Sequence, residues 1–66
     1  MKDLVKLHDD MLDYETDISN NAELLTVKRS LMYKYQDAEI LKEVIPVLNA
    51  IIHDAERYKD WIQKQN

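Results

Sequence analysis

The stretch AEILKEVIPVLNAIIHDAERYKDWI, residues 38–62, decides the fold. Ile40, Leu41, Val44, Leu48, Ile51, Ala55, Tyr58 and Ile62 recur at spacings of three and four, the period of a helix. Ile45 and Ile52 widen this stripe on one side, and Val47 and Trp61 widen it on the other. At 100° per residue the apolar arc covers roughly 200°, against the ~100° of an ordinary surface helix. The segment therefore reads as a long helix, 38–63, with more apolar surface than one neighbour covers. Pro46 sits inside the pattern, removes one backbone donor and predicts a kink.

Working back toward the N-terminus, Leu24, Val27, Leu31 and Tyr35 form a second helical stripe, flanked by Leu25 and Met32. This predicts a helix over 21–35. Gln36-Asp37 is a weak break, with Asp37 placed to cap the helix that follows. Leu24, Leu31, Ala38, Ile45 and Ile52 keep a seven-residue spacing straight through it, so one long helix across both segments is the competing reading. Ser19-Asn20-Asn21 is the stronger break, because all three side chains bond nearby backbone and favour turns. Asn20 with Glu23 resembles a capping box. Before it, Leu4, Leu7, Met11, Tyr14 and Ile18 predict a first helix over 3–18, capped by Asp3.

The expected architecture is all-α: a small antiparallel helical bundle of two or three helices, three being preferred, with the third long and kinked at Pro46. The chain has 66 residues, which fits one domain spanning 1–66. A core of that size is marginal, and small domains usually add disulfides, a metal or a second subunit. Cysteine and glycine are both absent. The first absence excludes disulfides and thiolate sites, and the second disfavours hairpins and phosphate-cradling loops. Oligomerisation is the remedy that remains. No apolar run approaches the roughly 20 residues of a membrane span. The opening residues also lack the apolar core of a signal peptide. The expectation is a soluble, cytoplasmic protein.

Net charge is −4, with −5 over residues 1–23, +3 over 24–36 and −2 over 37–66. That balance disfavours nucleic acid as a partner. Asp9, Asp10, Asp13 and Asp17 share one helix face, a surface for a basic protein partner if it is more than a solvated face. His8, Glu15 and Lys28 interrupt apolar arcs, and a fold-back at Asn20 would bring Glu15 beside Lys28 in a polar seam. No nucleophile, base and orienting group can be nominated together, and no carboxylate–histidine spacing suits a di-iron site. No catalytic, cofactor or metal residues are therefore assigned.

The reading that results is a small acidic protein–protein interaction module, a regulator, inhibitor or adaptor acting through helical faces. Ile45, Leu48, Ile52, Trp61 and Ile62 are the expected interface, with a homodimer as the leading assembly. The competing function is a helical nucleic-acid-binding regulator using Lys28, Arg29 and Lys34. It suffers from the missing turn glycine and from a third helix too apolar to enter a groove.

Overall fold

A computed structural model describes residues 3–65. The chain forms a two-helix antiparallel hairpin. Helix α1 spans Leu4–Tyr35, a short 3-10 turn spans Ala38–Ile40, and helix α2 spans Leu41–Lys64. Among the described residues there is no strand.

The N-terminal cap is the expected one. The Asp3 carboxylate accepts from the amides of Val5 and Lys6 at 3.0 and 3.3 Å, satisfying two of the donors a helix start leaves unpaired. The break expected at Ser19-Asn20-Asn21 is not there, and the separate helices over 3–18 and 21–35 are one helix of 32 residues. Asn20 and Glu23 lie inside it and cap nothing. Asn21 is half-buried and spends its side chain on the other helix: its Nδ2 donates to Asp54 Oδ2 at 2.7 Å. Packing thus overrides local propensity, since Leu7, Tyr14, Asn21 and Lys28 keep one seven-residue register across the supposed turn.

The real turn is the one that looked weaker. Gln36 adopts the left-handed conformation, φ 52° and ψ 40°, where a glycine would ordinarily stand. The Gln36 amide closes the last turn onto Tyr33 O at 3.3 Å, and the Asp37 amide reaches Met32 O at 3.1 Å. Gln36 Nε2 adds a bond to Tyr33 O at 2.6 Å. Asp37 then caps the new start, accepting from the Glu39 amide at 3.0 Å. The continuous 24–52 heptad that argued for one helix across this point is therefore broken by its caps. Beyond it, α2 runs unbroken through Pro46. The proline lies in the second turn and is exposed, so the one amide donor it lacks interrupts little.

The inner faces follow a 4-3 spacing on both helices. Leu7, Tyr14, Ile18, Asn21, Leu25, Lys28 and Met32 of α1 are half-buried against Ile40 of the 3-10 turn and Val44, Val47, Ile51, Asp54, Tyr58 and Trp61 of α2. Val47, at 9% exposure, is the one buried side chain among the described residues. The radius of gyration is 15.8 Å, with a long axis of 55 Å. A compact chain of 66 residues would have a radius near 11 Å. The hairpin is a rod with a seam one side chain thick, not a globule with a core.

Candidate interaction surfaces

The seam leaves two long flanks, and they differ in chemistry. On one, the outer residues of α2, Leu41, Ile45, Leu48, Ile52, Ala55 and Ile62, repeat the 4-3 spacing of the inner face. Ile45 is 60% exposed and Ile52 55% exposed, values typical of a polar surface residue and not of paired isoleucines. Helix α1 contributes Leu4, Met11, Ile18, Leu25 and Met32, spaced by seven, to the same side. Near the turn this flank holds an open groove of about 470 Å³, floored by Leu25, Met32, Leu41, Val44 and Leu48. Lys28 and Arg29 stand on its rim.

Of the expected interface, Ile45, Leu48, Ile52 and Ile62 therefore share this flank. Trp61 does not. It is half-buried on the other side of the seam, 5.5 Å from the Tyr14 ring centroid and 6.2 Å from that of Tyr58. Tyr14 and Tyr58 are stacked at 5.3 Å with their planes 2° apart. The three rings form a cluster at the open end of the hairpin. A helical stripe alone does not reveal it, because the pairing depends on which segment folds back.

The opposite flank is acidic. Asp10, Asp13 and Asp17 line a shallow depression of about 330 Å³ with Tyr14, Arg57 and Trp61. The Arg57 guanidinium lies 5.8 Å from the Tyr14 ring centroid, a cation–π distance. Asp10 pairs with Lys6 at 3.2 Å. Asp9, the fourth member of the expected acidic face, points elsewhere: its Oδ1 lies 3.1 Å from His8 Nδ1 on exposed surface. Among the described residues, no three His, Cys, Asp or Glu side chains are grouped to hold a metal ion.

The expected polar seam is rearranged. With one helix in place of two, Glu15 and Lys28 are separated by about 20 Å along α1 and cannot meet. Each reaches across to α2 instead. Tyr58 donates its hydroxyl to Glu15 Oε2 at 2.7 Å, and Lys28 Nζ pairs with Glu43 Oε1 at 2.8 Å. The hydrogen bond to the Glu15 carboxylate raises the Tyr58 phenol above its usual value, because the neutral form is the donor; slight burial and the carboxylate charge act in the same direction. His8 is exposed and lies outside the seam.

The basic segment is also partly committed within the chain. Lys28 pairs with Glu43, and Lys34 Nζ sits 5.4 Å from the Tyr35 ring centroid. Among the described residues, no helix is long and apolar enough to cross a membrane. Compared with protein-family models, curated proteins and solved structures, the chain finds no match in any of the three.

Proposed function

We propose that this chain is a protein–protein interaction module, a small regulator, inhibitor or adaptor that acts by docking its helical faces and not by catalysis. The observation that carries the reading is the exposed apolar flank: Leu41, Ile45, Leu48, Ile52 and Ile62 in helical register on α2, level with Met11 on α1. Isolated apolar residues are normal on a surface, whereas a contiguous stripe marks a contact site. Helix-in-groove recognition uses this spacing of anchors.

The acidic flank is a secondary surface in this reading. Asp10, Asp13 and Asp17 would steer a basic partner and set its orientation, with affinity left to the apolar flank. The test is site-directed photocrosslinking in the native cell. A photoreactive residue at Ile52 should form protein adducts, and one at Ser30, on the outer back of α1, should not. Equal yields at both positions, or none at either, would overturn the reading.

A further inference from the structure

Resting on the proposed function, we infer that the occupant of the apolar flank is a second copy of this chain, joined about a two-fold axis with the two α2 helices central. Area is the first argument. The chain exposes 5476 Å². A compact monomer of 7.9 kDa exposes about 4,400 Å² by the usual mass scaling. The excess of roughly 1,000 Å² is close to the ~800 Å² that each partner contributes to a standard interface. The hairpin carries about one dimer interface more surface than a self-sufficient monomer would.

Pattern is the second. Helix α2 bears two parallel seams with the same 4-3 spacing. The inner one, Val44, Val47, Ile51, Asp54 and Tyr58, meets α1. The outer one, Leu41, Ile45, Leu48, Ile52, Ala55 and Ile62, with Lys59 at the remaining 4-3 position, extends over about 32 Å of helix. A helix with two such seams has two helical neighbours, as in a four-helix bundle. The hairpin supplies one of them. Run antiparallel to itself, the outer seam sets each a-type position against a d-type position of the copy, which is the layering of antiparallel knobs-into-holes packing.

Charge is the third, and it separates a second copy from a basic partner. The charged side chains at the apolar flank are of both signs: Lys28, Arg29 and Lys59 with Glu56 and Glu15, the last bonded to Tyr58. Asp10, Asp13 and Asp17 are on the far flank. Two copies can therefore meet without bringing their aspartate flanks together, despite a net charge of −4 each. A basic protein would be drawn to the other side.

The experiment is sedimentation equilibrium across a hundredfold range of concentration, paired with thermal melts over the same range. The expected mass is that of a dimer, with a melting temperature that rises with concentration. Ile45→Glu with Ile52→Glu should shift the equilibrium to monomer by at least a hundredfold. If that variant fails to fold, the wild-type melts still decide. A folded monomer with a concentration-independent melt overturns the inference, as does a trimer. Crosslinking from Ile52 separates the two levels of the argument. Adducts made only to a different protein overturn self-pairing and leave the interaction module standing, while adducts made to the chain itself support both.

Discussion

Near its turn, the hairpin is closed by aliphatic side chains: Leu25, Leu31 and Met32 of α1 against Ile40 of the 3-10 turn and Val44, Val47 and Ile51 of α2. At its open end the same two helices meet through rings and polar groups. Tyr14 stacks on Tyr58 beside Trp61, Glu15 takes the Tyr58 hydroxyl, and farther in, midway along the seam, Asn21 bonds Asp54. The aliphatic contacts depend on area and tolerate sliding. The polar and aromatic ones depend on direction and do not. One end therefore supplies most of the burial, and the other holds the helices in register.

The largest expected effect is at the turn end. Val47→Ala removes two carbons from the one buried side chain among the described residues and should cost about 1–2 kcal/mol. Val27→Ala, at an exposed site on α1, should cost less than about 0.5 kcal/mol. Urea titrations of the two variants check the contrast, and equal midpoints would erase it.

A smaller effect is expected midway along the seam. Asn21→Leu leaves the Asp54 carboxylate without its donor and should cost about 1 kcal/mol. Adding Asp54→Leu should restore the loss or exceed it, because an apolar pair in a seam outweighs a half-buried polar one. The double variant should also lose register, seen as broadened amide resonances at the open end. A double variant as unstable as the single one would mean that the pair stabilises the hairpin as well as aligning it.

The smallest effect is a pH dependence at the open end. The folded-state pKa of Tyr58 is raised above the ordinary 10.0. Its contribution is therefore complete below about pH 10 and is lost as pH climbs through the higher folded value. The melting temperature of wild type minus that of Tyr58→Phe should be small and constant below pH 10, then shrink above it. A difference that stays flat into strong alkali would remove the Glu15 bond from the account.

Much of this fold is legible in the sequence, and the misreading has a definite cause. The helical class, the Asp3 and Asp37 caps and the wide arc of α2 all follow from local spacing. The choice of break does not. Ser19, Asn20 and Asn21 are poor helix formers on propensity, yet each costs only a few tenths of a kcal/mol and packing repays it. Leu7, Tyr14, Asn21 and Lys28 keep one register through that segment, which was the available warning. Gln36 gave little signal, because a glutamine in the left-handed region is uncommon. The error carried consequences. A 32-residue α1 covers α2 along its length, so helix length does not argue for a second chain. Arc width and exposed area still do. The Glu15–Lys28 pair failed for the same reason, while Trp61 stands apart from Ile45 and Ile52 because it packs beside Tyr14 and Tyr58 on the other side of the seam. Ile45, Leu48, Ile52 and Ile62 kept a common face because they share one helix, whichever neighbour it has.

The position of the turn also sets a clock. Gln36 divides the described chain into two arms that meet in order of distance from it. Met32 and Ile40 are separated by eight residues, whereas Tyr14 and Trp61 are separated by forty-seven. Closing a short loop costs less entropy than closing a long one, and each contact made near the turn shortens the loop that remains. The hairpin is thus built to zip from the aliphatic end outward, with the aromatic rings closing last. Helix growth takes about a nanosecond per residue and short-loop closure tens of nanoseconds, which places the pairing of the two arms in the microsecond range. If two copies pair as inferred above, the slow step becomes the encounter of two chains, which dilution lengthens, while the zipper itself is independent of concentration.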